Sequence, residues 1–184
     1  MSIESHFRAK PEFDLPLNQT ALVIVDMQRG GLLADVGMGP DNAKRNPEGF
    51  QSYQKYVNET LIPNNERLLE RARALGMRVI FLTSGAFWAD QADLNGPRRR
   101  KDLQRQRQTG VKTLFSIGEY EHGIIDQLAP VGDEPVLNKV GASGFAGTGM
   151  DQMLRWLGIS TVIFTGIGTP ACVESTVRQG ADLG

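Results

Sequence analysis

The sequence predicts one three-layer α/β/α domain with a central parallel sheet, and two observations support this. First, short apolar runs recur along the chain, each ending in a polar or glycine-containing turn; they are 21–25, 78–83, 135–138 and 161–165. Their apolar residues are continuous rather than alternating, which is typical of strands buried on both faces of a parallel sheet. Second, helical patterns separate these runs, and such alternation indicates right-handed βαβ units.

The helical patterns are apolar residues three and four positions apart. One covers about 63–75 and stops at Gly76, and another covers about 149–157 and stops at Gly158. A short helix is expected over 120–128, and a last one begins near Pro170. Two stretches do not follow this alternation of strands and helices. We expect a long loop over 30–54, which is rich in Gly, Pro and Asn, and a loop plus a polar helix over 86–108.

The composition is that of an ordinary globular chain. Of its 184 residues, 40% are hydrophobic and 22% are charged, and the formal net charge is −1. This length allows a sizeable core, and the charge gives no reason to expect a nucleic-acid partner. We expect an N-terminal arm over 1–20 and the folded domain over 21–184. The last predicted helix stops at Gly184, so a C-terminal strand and helix are expected to be missing.

The sequence also predicts the compartment. No apolar stretch approaches the roughly 18 residues that cross a membrane, and the first twenty residues do not resemble a signal peptide. The one cysteine cannot form an internal disulfide. We therefore expect a cytoplasmic protein with no membrane partner.

Three chemically active side chains follow the predicted strands. Asp26 ends the first strand, Lys139 ends the third, and Cys172 follows the fourth after a glycine-containing turn. Ligands of open parallel sheets bind at the carboxyl ends of the strands, so we expect the three residues to converge there. A buried lysine and a buried aspartate are each costly alone, and an ion pair beside the thiol satisfies both.

Two interpretations of these residues remain open from the residues alone. A cysteine in the first turn of a helix is favoured as thiolate, and Lys139 would take its proton while Asp26 holds the lysine. Alternatively, Cys172 is a small buried apolar side chain and the charged pair is a structural salt bridge.

Histidine and metal chemistry are not expected. His6 lies in the N-terminal arm, and His122 lies on a helical segment well before the third strand. With a single cysteine and no His/Asp pair at ligand spacing, the sequence predicts no metal site. Asp90 and Asp93, after the second strand, are expected in a solvated loop.

Three blocks of sequence resemble the signature blocks of the isochorismatase-like cysteine hydrolases. They are ALVIVDMQ at 21–28, KVGASGF at 139–145 and TGIGTPACVEST at 165–176, in the same order and spacing. The resemblance implies a Rossmann-like sheet and a catalytic triad of Cys172, Lys139 and Asp26. It further suggests a homodimer or homotetramer, and we expect no cofactor.

The resemblance also implies how the oxyanion of the reaction is stabilised. A cis peptide between Ile167 and Gly168 would aim the N–H groups of Gly168 and Cys172 at it. Members that act on isochorismate typically lack the cysteine, so C–N hydrolysis is expected. The Cys-Val-Glu-Ser-Thr run and the Gly-Glu-Tyr block near Gly118 are most similar to the carbamoyl-amide branch, which includes ureidoacrylate and biuret hydrolases and N-carbamoylsarcosine amidase.

The sequence thus predicts a metal-free amidohydrolase that acts on a small amide or ureido substrate through a thioester on Cys172. The residues expected to line its pocket are Gln28, Phe87, Trp88, Phe145 and Thr169. Core or interface packing is the alternative for the two aromatic residues after the second strand. The alternative functions are a catalytically silent member that binds a small molecule, and an enol-ether hydrolase.

Overall fold

The computed structural model describes residues 14–94 and 96–184. Within them, the strands are β1 (Thr20–Val25), β2 (Arg78–Ala86), β3 (Phe115–Ser116), β4 (Val136–Lys139) and β5 (Thr161–Gly166). All of their pairings are parallel. β1 lies between β2 and β5, and β4 and then β3 pair along the other side of β2. The predicted α/β domain with a central parallel sheet is confirmed.

The helices are α1 (Arg29–Leu32), α2 (Gly39–Arg45), α3 (Pro47–Tyr56), α4 (Ile62–Ala74), α5 (Gly96–Thr109), α6 (Met150–Trp156) and α7 (Glu174–Leu183). Short 3-10 turns cover Leu17–Gln19, Tyr120–His122 and Asp126–Leu128, and π-helical turns cover Val57–Leu61 and Thr169–Val173. No helix among the described residues is long and apolar enough to cross a membrane.

Two apolar clusters, one on each face of the sheet, form the core. Leu22 and Phe81 lie on one face and pack in a cluster with Leu69 of α4. Val23 lies on the other face and packs in a cluster with Met150 of α6. Because successive side chains of a strand point to opposite faces, both clusters draw on β1, all six residues of which are buried. This explains the continuous apolar pattern of the predicted strands.

Two predictions about the helices are wrong. The stretch 30–54 is not one long loop, since α1, α2 and most of α3 occupy it. At α3 the Asn46 side chain accepts a hydrogen bond from the Gly49 N–H, and Pro47 is the first helical residue. Both features favour a helix start. The helix expected over 120–128 is instead two separate 3-10 turns, because the backbone is extended at Gly123.

The other predicted elements can be located directly. The polar helix expected within 86–108 is α5, and the helices expected over 63–75 and 149–157 are α4 and α6. Most of the predicted N-terminal arm lies outside the described residues, and β1 already begins at Thr20. β5 pairs with β1 alone among the described strands, so it forms one edge of the sheet.

Candidate active site

The carboxyl end of the sheet brings the three predicted catalytic side chains together. Lys139 Nζ lies 2.9 Å from Asp26 Oδ2, and the two side chains are 0% and 10% exposed. Cys172 carries a half-buried free thiol, close enough for both Asp26 and Lys139 to act on its pKa. A buried ion pair and a thiol therefore share one edge of the sheet.

The backbone at Asp26 adopts a conformation that is rare outside glycine, with a φ of 55°. The Asp26 N–H donates to the Leu82 carbonyl at 2.9 Å, and its own carbonyl accepts from the Gln28 N–H at 2.7 Å. Such a conformation costs on the order of 1–3 kcal/mol and clusters at functional sites. Within the described part of the chain, the buried Oδ1 of Asp26 has no hydrogen-bond partner.

The pKa of the Cys172 thiol is raised above its usual value of 9.0. Partial burial is the largest cause, the Asp26 carboxylate raises the pKa further, and the Lys139 ammonium acts in the opposite direction. This shift is opposite to the one expected from a helix start. Cys172 lies in the π-helical turn Thr169–Val173 that precedes α7, where burial and a neighbouring carboxylate both disfavour the thiolate. The thiol therefore needs a base.

The turn between β5 and Cys172 is built on two glycines. Gly166 and Gly168 have φ values of 123° and 79°, and the Ile167–Gly168 peptide is trans. The prediction of a cis peptide there is wrong. Glycines with positive φ redirect the chain at little steric cost, whereas a non-proline cis bond costs about 3–4 kcal/mol. Within the described residues the Gly168 N–H donates no hydrogen bond, so its role as an oxyanion donor stays a prediction.

Two of the predicted pocket residues, Gln28 and Phe145, make contacts within the protein. Gln28 is 7% exposed. Its side-chain oxygen accepts from the Ser84 N–H at 2.9 Å and its nitrogen donates to the His122 carbonyl at 2.8 Å. Phe145 is half-buried and packs with the apolar cluster that contains Met150. These contacts favour structural roles for both side chains.

The other predicted pocket residues are exposed. Thr169 lies on the π-helical turn, and Phe87 and Trp88 are 59% and 68% exposed just past β2. The backbone N–H groups of Phe87 and Trp88 donate to the Asp93 carboxylate at 2.7 and 3.4 Å. Asp93 thus fixes this loop. The contribution of the three side chains to a pocket stays a prediction.

Thr176 fixes the cysteine from the C-terminal side, a role that sequence reasoning missed. It is 0% exposed on α7. Its hydroxyl donates to the Cys172 carbonyl at 2.6 Å and accepts from the Gly144 N–H at 2.9 Å. The loop after β4 and the turn that carries the thiol are therefore tied together.

Two further residues reach the site although sequence reasoning set them aside. His122 is buried, and its Nε2 lies 2.9 Å from Oδ1 of Asn138, the residue before Lys139. Arg98 of α5 donates to the Ser84 hydroxyl at 2.5 Å, and Ser84 is the β2 residue paired with Lys139. A basic run is usually a solvated face, and nothing in the local sequence distinguishes Arg98 from its basic neighbours.

Metal binding finds no support in side-chain clustering. Among residues 14–94 and 96–184, no three His, Cys, Asp or Glu side chains are grouped as a metal ion would require. The metal-free reaction nevertheless stays a prediction. A thiol, a carboxylate with an uncommitted oxygen and an ammonium group can together support nucleophilic attack on a carbonyl carbon.

Comparison with known sequences identifies relatives over nearly the whole chain. The model of the isochorismatase domain matches residues 20–184. The ureidoacrylate amidohydrolase RutB of Stutzerimonas stutzeri (strain A1501) is 32% identical over 187 residues, which cover 95% of this chain and 69% of that protein. RutB of Pantoea ananatis (strain LMG 20103) is 33% identical over 184 residues, covering 94% and 68%. The chain thus spans about two thirds of the length of these relatives.

Solved structures give the same picture. The cysteine hydrolase from Pseudomonas syringae pv. phaseolicola 1448A superposes with a TM-score of 0.70 at 26% identity, covering 95% of this chain and 72% of that one. N-carbamoylsarcosine amidase from Thermoplasma acidophilum gives a TM-score of 0.58 at 24% identity, covering 88% and 75%. The second likeness concerns the fold alone.

Proposed function

This chain belongs to the isochorismatase family of hydrolases, and from that premise we propose that it is a cysteine amidohydrolase acting on a small amide or ureido substrate. The observation that carries the proposal is the buried Lys139–Asp26 ion pair beside the Cys172 thiol. The names of the matched relatives, ureidoacrylate amidohydrolases, support C–N cleavage. The metal-free reaction, the homo-oligomer and the cytoplasmic location stay predictions.

The first step of the proposed reaction is removal of the thiol proton. Sequence reasoning assigned this role to Lys139, but an ammonium has no lone pair with which to accept a proton. Asp26 Oδ1 is buried and uncommitted, so we assign the base to Asp26. The Cys172 thiolate then attacks the substrate carbonyl carbon, and the Lys139 ammonium stabilises the negative charge that passes between sulfur and carboxylate.

The second step breaks the C–N bond. The backbone N–H groups of Gly168 and Cys172 are proposed to hold the oxyanion, and one such donor is worth about a hundredfold or more in rate. As the intermediate collapses, Asp26 returns the proton to the nitrogen. Ammonia or an amine leaves, and the group that stays on Cys172 is a thioester for an acyl group or a thiocarbamate for a carbamoyl group.

The third step regenerates the thiol. A water molecule attacks the thioester while Asp26 takes one of its protons. Collapse of this second intermediate expels the Cys172 sulfur, which recovers its proton from Asp26. One amide and one water thus become one acid and one amine, and each group of the site returns to its starting state.

Ammonia release tests the proposal. Purified protein is incubated with ureido acids, biuret and simple carboxamides, with the Cys172→Ser variant as control. We expect release from at least one class, and a loss of about 1,000-fold or more in the variant, as for other nucleophile replacements. Treatment with a chelator should leave the rate unchanged. No release from any compound, or full activity in the variant, would contradict the proposal.

A further inference from the structure

Lys139 lies at the end of a short strand. β4 has four residues and pairs with β2 alone among the described strands, and Lys139 is its last residue. The ammonium group donates a hydrogen bond to Asp26 Oδ2 at 2.9 Å. A lysine side chain has four flexible torsions, and a misplacement of about 1 Å at a reacting group can cost about a hundredfold in rate. The geometry of the ammonium therefore depends on how the backbone around Lys139 is held.

On the N-terminal side, the Asn138 side chain holds this backbone. Its Oδ1 lies 2.9 Å from His122 Nε2, and its Nδ2 donates to the Gly85 carbonyl at 2.9 Å. Because Asn138 and Lys139 are neighbours in a strand, their side chains point to opposite faces of the sheet. His122 thus supports the strand end from the face opposite the lysine.

On the C-terminal side, the guanidinium of Arg98 holds the backbone. Its Nη1 donates to the carbonyls of Val140 and Gly141, the two residues after Lys139, at 2.8 and 3.2 Å. Its Nη2 donates to the hydroxyl of Ser84, the residue paired with Lys139 across the ladder. One planar group therefore connects the loop after β4 to the end of β2, a geometry that a lysine at this position could not reproduce.

We propose that His122 and Arg98 are positioning residues that hold the β4 end from both sides and so keep the Lys139 ammonium against Asp26 and Cys172. The inference rests on the proposed function for its catalytic consequence, whereas its geometric part concerns the ion pair and the thiol alone. Neither residue is required to touch substrate. Their loss should therefore act on the chemical step more than on substrate binding.

A matched pair of His122 variants separates hydrogen bonding from packing. In His122→Gln the side-chain amide nitrogen can occupy the position of Nε2, whereas in His122→Asn it occupies that of Nδ1 and leaves Asn138 Oδ1 without this donor. We expect His122→Asn to lower kcat about tenfold or more with KM within about twofold, and His122→Gln to recover most of kcat. Rates are measured well below the unfolding temperature of each variant.

Alkylation of Cys172 by iodoacetamide gives a second readout that needs no substrate. Because Lys139 lowers the thiol pKa, displacing the ammonium should slow alkylation at a fixed pH. His122→Asn and Arg98→Lys should both alkylate more slowly than wild type. Arg107→Lys, an exposed position on the same helix α5, is the control and should leave both readouts unchanged.

The outcomes distinguish the two proposals. Equal kcat and equal alkylation in wild type, His122→Asn and Arg98→Lys would overturn the positioning role. Equal impairment of His122→Gln and His122→Asn would also overturn it, because packing of the ring and not its hydrogen bond would then matter. If the wild type hydrolyses no amide, the proposed function fails, and the alkylation rates still decide whether these residues hold the lysine.

Discussion

Cys172 requires a base because burial and the Asp26 carboxylate raise the pKa of its thiol, with Lys139 acting against them. With a neutral thiol, the charges of Asp26 and Lys139 cancel. Moving the proton from sulfur to Asp26 leaves a thiolate beside the Lys139 ammonium, and the net charge of the three groups is still zero. No unpaired charge is created in a largely buried site, where it would be costly. The neighbouring Lys139 ammonium favours the thiolate.

This account predicts opposite effects of removing the two partners. Asp26→Asn removes a group that raises the thiol pKa, so Cys172 should alkylate faster at pH 7 although hydrolysis is lost. Lys139→Gln removes the group that lowers it, so alkylation should be slower. A change of one pKa unit alters the thiolate fraction about tenfold in this range. Iodoacetamide labelling followed by mass spectrometry measures both rates.

The two variants also control for each other. Each breaks the same buried ion pair, which costs about 3–5 kcal/mol when one partner is removed, so their loss of stability should be similar. Changes in alkylation rate of the same sign and size would mean that unfolding, and not the local charge, governs the thiol, and would contradict the assignment.

At the scale of elements, the turn between β5 and α7 places the nucleophile. It passes so close to β1 that a methyl group on Gly166 would lie 2.0 Å from the Val25 carbonyl oxygen. Only glycine fits this contact. The pair Gly166 and Gly168 indicates a tight turn from sequence, and the structure shows that positive φ angles, without a cis bond, create it.

Gly166→Ala should therefore be strongly destabilising. Gly147→Ala is a matched control, because Gly147 also has a positive φ, 74°, and has no heavy atom within 4 Å of an added methyl. We expect the control to cost about 1 kcal/mol from backbone strain and Gly166→Ala roughly 3 kcal/mol or more. Urea unfolding measures both. Equal losses would show that the contact with Val25 is unimportant.

A second element-scale prediction concerns the anchor of α5. Asp102 is 1% exposed and accepts hydrogen bonds from the N–H and hydroxyl of Thr113 and from the Gln106 side chain, at 2.6, 2.5 and 2.6 Å. Hydrogen bonds to a charged group contribute about 1.5–3 kcal/mol each when a partner is lost. Asp102→Ala should lower the free energy of unfolding by about 3 kcal/mol or more.

The control for Asp102 is Asp182→Ala, an exposed position on α7. Away from special contacts, a surface substitution changes stability by less than about 0.5 kcal/mol. A loss at Asp102 as small as this would mean that the α5 anchor carries little of the stability. The sequence could not reveal this anchor, since Asp102 stands within a run of basic residues typical of a solvated helix.

At the scale of the whole molecule, the sequence predicts the layers better than the loops. β1 and β2 are buried on both faces, and burial of that kind leaves a continuous apolar run that a single sequence reveals. The convergence of Asp26, Lys139 and Cys172 followed from the rule that parallel strands end at one edge. His122, Arg98 and Thr176 could not be predicted, because each acts through contacts with residues distant in sequence.

Hydrogen-bonded carboxylates that connect distant elements predict a loss of stability in acid. For Asp102, Glu119 and Glu134, burial would raise the carboxyl pKa, but hydrogen bonds outweigh it and hold each pKa below its usual value, 3.8 for Asp and 4.5 for Glu. A lowered native pKa means that the unfolded chain binds protons first. Their stabilisation is fully present above those usual values, and it is lost progressively as the pH falls from them through the lower native pKa values.

Thermal unfolding midpoints measured from pH 7 to pH 3 check this prediction. The unfolding temperature should decrease once the pH is below about 5. The Glu134→Gln variant should show a weaker decrease, because it lacks the ion pair with Arg73. A midpoint that stays constant down to pH 3 would contradict the contribution of these carboxylates.

If Cys172 carries the substrate as a thioester, acid quenching during turnover should trap the intermediate. Wild-type protein is mixed with a compound that releases ammonia, quenched within the first turnovers, digested and analysed by mass spectrometry. We expect an acyl or carbamoyl mass increase on the peptide that contains Cys172, and none in Cys172→Ala. Ammonia release by Cys172→Ala at the wild-type rate, with no adduct on the wild-type peptide, would contradict it.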